Sequence, residues 1–507
     1  MKAICGLIIV GGFLEMLGIW LIVPFVGYFA GSEEVVVKVE TILFHIGIHD
    51  SDFAAFVILG FLTFFIAKTA FLTVALFLQK RFAFSARAVI SSKLFASYLG
   101  RQYLFHTENH SGGLIRNVVG EVGIVISNAL VPALALFGEI ATLMLVVGLT
   151  FSIKPEFVVL AGILFGGVSI LFYSAFKSRI TRWGKTRQVS DDGMMRQLQE
   201  AFGAIKEIKL YGAQDQFLTE YSLNADITAK MMSNEQTSQQ LPRFVIELAI
   251  VIAVCLWILA YGSKDSFRGQ AVVDFALFAA VGFRLLPSIT RIMSFVQSIR
   301  YAAPALETVM QEMSDAAQEQ AERTPEELTR ADSGSSLADN VAIEFRDVSF
   351  HYPGKVETKI VEHLNLSLKT GTCIGIVGPS GQGKTTIIDL IAGFYEPVSG
   401  EIMIADGTTA HKPRLGVGRI GYVSQAVRIL DGTVAENVTF GELSEDLDLD
   451  RIRSSLEIAQ LSSFVDASPE GLARRLTEDG RQMSGGQKQR IGIARALYRD
   501  CSLLPAG

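Results

Sequence analysis

Six stretches in the first 300 residues are apolar over lengths that few soluble folds tolerate: 3–30, 53–78, 122–153, 157–176, 244–261 and 271–295. A bilayer core about 30 Å thick is crossed by about 20 helical residues. Inside it the backbone finds no water, so each crossing segment must satisfy its own N–H and C=O groups as a helix. Half of the 507 residues are hydrophobic and only 19% are charged, a balance that excludes an ordinary soluble enzyme. The first stretch is too long for a cleaved signal and lacks a small-residue cleavage pattern. A net charge of −6 gives no basic face for nucleic acid. Cys5, Cys255, Cys373 and Cys501 are scattered, which suits neither a disulfide framework nor a zinc site.

Basic residues set the expected orientation. Lys80, Arg81, Arg87, Lys93, Arg101 and Arg116 follow the second stretch, and Lys177, Arg179, Arg182, Lys185 and Arg187 follow the fourth. The loop after the first is acidic, with Glu33, Glu34, Glu40, Asp50 and Asp52 against Lys38. The positive-inside rule therefore puts the basic segments and both termini in the cytoplasm of a multi-pass protein. Those segments are helix-compatible, so the helices are expected to continue below the membrane and return. Each carries a break suited to a short transverse helix, "FHTENHSGGLIRN" at 105–117 and "KLYGAQDQF" at 209–217.

Charges at membrane depth are costly and face a partner or a watery cavity. They are Glu15, Lys68, Glu139, Glu247, Arg284 and Arg291. Arg284 and Arg291 share a face of the sixth stretch, with Pro287 loosening the helix between them. Two readings stay open for this pair: a cavity that binds an anionic substrate group, or a structural role by mutual pairing, for example with Glu247, or by snorkelling of Arg291.

Residues 1–310 thus read as a six-helix membrane domain and 311–340 as a polar linker ending in "RADSGSSLADN". Residues 341–507 read as an α/β domain that opens on the strand "VAIEFRDVSFHY". Next comes "TCIGIVGPSGQGKTTIIDLIAGF", read as an apolar strand, a glycine-rich turn and a helix. Residues 378–385 fit G-x-x-x-x-G-K-[ST]: backbone N–H groups of the turn and a helix N-terminus surround phosphates. Lys384 reaches the outer phosphate oxygens and the Thr385 hydroxyl suits Mg²⁺. "MSGGQKQRIGIARAL" at 483–497 starts a second helix in the same manner. Two phosphate-directed helix starts do not cradle one nucleotide in a monomer, and a second copy docked head to tail resolves this.

Taken in order, these motifs resemble an ATP-binding-cassette (ABC) exporter half-transporter over nearly the whole chain. The resemblance implies ATP and Mg²⁺ as cofactors, and a homodimer or a related half as partner in a bacterial inner membrane. Tyr352 matches the adenine-stacking aromatic. Gly378, Ser380, Gly381, Gly383, Lys384, Thr385 and Thr386 match the Walker A loop. Gln425 in "IGYVSQ" matches the Q-loop glutamine at the metal, beside Thr385. Ser484, Gly485, Gly486 and Gln487 match the signature that closes over the partner's ATP, and the two breaks match coupling helices. "GFLEMLGIWLIVPFV" and "FRLLPSITRIMSFVQSIRYAAPALETV" look like the lipid-linked-oligosaccharide flippase subgroup, whose pyrophosphate suits Arg284 and Arg291. Multidrug, lipid and peptide exporters share the architecture.

The resemblance also sets an expectation at the end of the chain. Leu503 and Leu504 begin the run that in this family carries the Walker B aspartate, then a catalytic glutamate and a switch histidine, none of which follows in "PAG". No catalytic residue is therefore assigned. A truncated domain, or an ATP-binding half that works with a complete partner, is the corresponding expectation.

Overall fold

The computed structural model describes residues 2–29, 53–153, 155–261, 270–322, 341–352, 359–406, 409–411, 420–442, 447–499 and 501. The chain forms two compact units, one of residues 1–101 and 109–319, the other of 102–108 and 320–507.

The first unit is helical. Its long members are α1 (Lys2–Phe29) and α2 (Phe53–Gly100); α3 (Tyr103–Glu108) is short and belongs to the second unit. After α4 (Ser111–Ile115), two π-helical stretches, Arg116–Glu121 and Val125–Leu130, flank α5 (Val122–Ile124) and lead into α6 (Val131–Ile153). The set is completed by α7 (Pro155–Gly203), α8 (Ile205–Tyr211), α9 (Gln214–Tyr261) and α10 (Gln270–Glu322). The described residues of each of the six apolar stretches are helical, the third through α5, a π-helical stretch and α6, and the helices from the second, fourth and fifth continue far past the apolar run, as the helix-compatible basic segments require. Among the described residues three helices are long and apolar enough to cross a membrane: Ala54–Gly100, Ser111–Gly148 and Gly162–Gly203. Large apolar side chains point outward there, with Ile163, Ile170 and Leu171 about 70% exposed. Both expected breaks contain a short helix, α3 and α8, and α8 ends on Gly212 in the left-handed region (φ 68°) that glycine adopts without a Cβ penalty.

Helix contacts outside the apolar band rest on buried polar groups. Glu121, at the end of the first π-helical stretch, meets Arg187 of α7, which also binds Asp191 at 2.7 Å. Thr228 of α9 donates to Asp191 at 2.9 Å, so three chain segments share one network. Wider π turns shift the side-chain register, which is how Asn117 also turns inward to donate to Tyr98 of α2. At Gly184 a Cβ would lie 2.2 Å from the Tyr301 carbonyl, so α7 and α10 cross backbone to backbone.

In the second unit the antiparallel sheet runs β2 (Val361–Lys369), β1 (Val341–Phe350), β3 (Ser399–Asp406), β4 (Thr409–His411). Its inner face, Ile343, Phe345, Val348, Ile402 and Ile404, packs on Leu390 and Ile391 of α11 (Lys384–Ile391). A separate helical core joins α12 (Val434–Thr439), α13 (Leu449–Ile458) and α15 (Gly485–Tyr498) through Val438, Ile452, Leu456 and Ile491. Between α13 and α15 lie α14 (Ser462–Asp466) and β6 (Arg475–Leu476), which pairs with the short strand β5 (Gly432–Thr433) just before α12.

One expected strand is corrected. Residues 372–379 precede the glycine turn but form no strand, and Ile374, Ile376 and Val377 are 51, 40 and 96% exposed. A central parallel strand is stable when neighbours pair with both edges and cover both faces. Among the described residues no ladder adjoins this segment. The linker after Glu322 and the residues 502–507 lie outside the described residues.

Candidate functional site

The glycine turn keeps the conformation its sequence demands. Gly381 and Gly383 have φ of 82° and 80°, in the left-handed region. At Gly383 a Cβ would also come within 2.7 Å of the Ile360 side chain. Gly383 caps α11, whose first-turn N–H groups are the intrahelically unsatisfied donors that bind anions. Lys384 Nζ donates to the Gly378 carbonyl at 2.9 Å and the Pro379 carbonyl at 2.7 Å, so the ammonium lies over the loop. An ammonium held only by neutral carbonyls beside open N–H groups is a fitting environment for a phosphate. Ser380 and Thr385 are exposed at its rim, and Thr386 is buried behind it.

Tyr352 is tied to this loop from outside. Its hydroxyl lies 3.0 Å from the Thr386 hydroxyl, and its ring meets Phe350 and Tyr395 edge-on at 5.2 and 5.4 Å. Gln425 is exposed on the segment after Tyr422, and Tyr422 anchors that segment to α11 by donating to Asp389 at 3.5 Å.

At the second motif Ser484 is the N-cap of α15. Its hydroxyl accepts from the Gln487 N–H at 3.2 Å, while Gln487 Oε1 accepts from the Ser484 N–H at 2.9 Å. This reciprocal capping box assigns Gln487 a structural task that the sequence reading gave only to nucleotide contact. A Cβ at Gly485 or Gly486 would meet nothing within 4 Å, leaving their backbone open to an incoming group.

Arg291 of α10 donates to Glu139 of α6 at 2.7 Å, and Glu247 pairs with Arg243 one turn away on α9 at 2.8 Å. Arg291 is thus paired within the chain, but with Glu139 in place of the suggested Glu247, which takes a partner at i,i+4 on its own helix. The side chain of Arg284 lies outside the described residues.

Sequence reasoning missed an aromatic cluster and a half-buried arginine. Tyr103 of α3 packs against Phe394 at 4.7 Å and Tyr395 at 5.7 Å, and Tyr395 in turn reaches Tyr352. Burial pushes the Tyr395 hydroxyl up to about 12. The adjacent Phe-Tyr after "LIAG" was the available signal. Arg495 of α15 donates to the Asn437 carbonyl at 2.7 Å and the Arg428 carbonyl at 2.9 Å. Burial lowers it to about 10, and its guanidinium lies 4.3 Å from the Phe440 ring. Nothing local in the sequence distinguishes it from a surface arginine.

Residues 2–283 match the family model described as the ABC transporter transmembrane region, and residues 361–505 match that described as ABC transporter. An ATP-dependent lipid A-core flippase of Paraburkholderia xenovorans (strain LB400) is 24% identical over 420 residues, 81% of this chain and 67% of the relative. One of Dechloromonas aromatica (strain RCB) is 31% identical over 336 residues, 65% of this chain and 54% of the relative. The chain thus spans from about half to two thirds of the length of these relatives. A solved bacterial Atm1-family ABC exporter with ATP bound matches in fold, with a TM-score of 0.74 and 18% identity, over all of this chain and 86% of that one.

Proposed function

This chain belongs to the ABC transporter family, and from that premise we propose that it is an ATP-driven exporter moving a lipid-linked saccharide or another amphipathic substrate between the leaflets of a membrane. The observation that carries the nucleotide half of this reading is the P-loop: Lys384 over its loop carbonyls and the open first turn of α11. ATP supplies the free energy when bound. Its phosphates suit the N–H groups from Gly381 to Thr385 and the Lys384 ammonium, and Tyr352 suits the base. Mg²⁺ keeps several waters and takes phosphate oxygens, so the Thr385 hydroxyl and the Gln425 amide would hold it together with the phosphates of ATP.

The second anion-directed helix start, at Ser484–Gln487, supports a dimer in which each chain's signature faces the other chain's P-loop. A homodimer and a pair of related halves both satisfy this requirement. The orientation follows from the basic segments: both termini in the cytoplasm of a bacterium, the chain in its inner membrane. The lipid-linked substrate is supported by the activity of the lipid A-core flippase relatives and by arginines on the sixth span, Arg284 and Arg291. Arg291 is neutralised by Glu139 within this chain, so a substrate phosphate there has to compete with a carboxylate.

The test is equilibrium binding of a fluorescent ATP analogue with Mg²⁺ to the full chain in detergent. Lys384→Ala is expected to abolish binding while leaving the helical circular dichroism intact. Unchanged binding by that variant refutes the phosphate assignment.

A further inference from the structure

We infer that a slot between α7 and α10, separate from the Arg284–Arg291 face, is a binding site for an anionic lipid of the cytoplasmic leaflet. The inference rests on the orientation proposed above. The slot has a volume of about 300 Å³, the lower end of the range for small-molecule sites. Phe172, Phe176 and Ile180 of α7 line one wall, and Ile292, Met293 and Val296 of α10 line the other. Phe172 and Phe176 stack with centroids 4.5 Å apart, which makes a flat apolar wall.

Two kinds of polar group break this lining. Deep in the slot Gln297 is only 4% exposed, and both its Oε1 and Nε2 lack a hydrogen-bond partner, as does the buried Ser169 hydroxyl. Buried polar atoms without partners are rare and call for one. Here a donor and an acceptor together suit an ester or hydroxyl linker better than a plain hydrocarbon.

The other kind is cationic. Lys177 and Arg300 both line the slot, and each lies just beyond the apolar run of its helix, 157–176 and 271–295. Arg300 Nε donates to the Tyr173 hydroxyl at 3.0 Å, which fixes the guanidinium at the mouth. Among the described residues neither cation forms an ion pair. An apolar slot, partnerless polar atoms in its lining and two unneutralised cations at the membrane boundary match the chemistry of an acyl chain, a glycerol ester linkage and a phosphate. A guanidinium beside an ammonium favours phosphate over a zwitterionic headgroup, because choline brings its own cation.

The full chain is reconstituted without nucleotide in phosphatidylcholine nanodiscs. They carry a trace of phosphatidylglycerol bearing a photoactivatable acyl chain, or phosphatidylcholine bearing the same chain. Irradiation should attach the anionic lipid to peptides containing Phe172, Phe176 or Met293, with the choline lipid labelling them far less. Lys177→Gln/Arg300→Gln should lower anionic labelling about twenty-five-fold, since each basic residue near the surface is worth about a factor of five. Met293→Trp, which fills the slot and keeps both cations, should also abolish it. Equal labelling by the two lipids, labelling untouched by both variants, or no labelling because a second copy fills the slot overturns the inference. So does displacement by millimolar inorganic phosphate, which marks a free-anion site. The Lys384→Ala chain should label like the wild type, so a failure of ATP binding and a failure of the lipid site are read apart.

Discussion

Arg187 and Glu121 form a 2.8 Å ion pair in which the arginine is 4% and the carboxylate 0% exposed. Glu121 lies in a π-helical stretch and Arg187 on α7, so the pair fixes where two helical segments meet below the apolar band. Removing Arg187 leaves Glu121 buried with only Arg116, 3.7 Å away, to compensate it, at up to about 3–5 kcal/mol. Arg187→Met is therefore expected to lower the unfolding free energy by that amount, measured by denaturant titration in detergent. Arg187→Met combined with Glu121→Leu should recover most of the loss. A single variant as stable as the wild type shows that the pair does not hold the segments.

Gly383→Ala tests the turn itself. Its φ of 80° and the 2.7 Å approach to Ile360 both oppose a methyl group. The left-handed conformation alone costs an L-residue about 1–2 kcal/mol. Loss of nucleotide binding accompanied by a stability decrease of at least that size is expected. An alanine variant that binds ATP normally means the turn is not the phosphate cradle.

Ser484→Ala separates the cap of α15 from the signature's contact with a partner's nucleotide. Losing an N-cap costs about 1 kcal/mol. That modest destabilisation should leave ATP binding at Lys384 intact, while turnover that needs a complete dimer falls much further than the stability change explains. Ser484→Asp, which can still cap, should restore stability and not turnover; restoration of both shows that the serine is only a cap.

Glu436 gives a pH signature. The Thr433 backbone N–H donates to its carboxylate at 2.7 Å and holds it below the usual glutamate value of 4.5. A carboxylate lowered in the folded state contributes stability that is complete above 4.5 and is lost as pH falls through the lowered folded value. The wild type should therefore lose urea resistance across that acid window more steeply than Glu436→Gln, followed by tryptophan-independent circular dichroism of the second unit's helices. Parallel curves for the two proteins contradict the assignment.

Much of the organisation was legible because it follows from local chemistry. Twenty apolar residues in a row admit a helix and little else, so the described residues of each of the six stretches are helical, and breaks near Asn109 and Gly212 yield short helices. Glycines 381 and 383 before Lys384 announce a left-handed turn and a helix start, and the structure has both. "SGGQ" announced α15, though the Ser484–Gln487 box that opens it was read only as a nucleotide motif.

What only the tertiary structure decided concerns partners distant in sequence. Strand formation at 372–379 depends on neighbours at both edges, which no property of "TCIGIVG" supplies. Arg291 chose Glu139 rather than Glu247 because the packing of α6 on α10 sets that distance. Likewise Arg187 is one more basic residue in a basic segment until a π-helical turn brings Glu121 against it. Periodicity and turn chemistry act over a few residues and are written in the sequence; burial of a charge depends on what the fold brings opposite it.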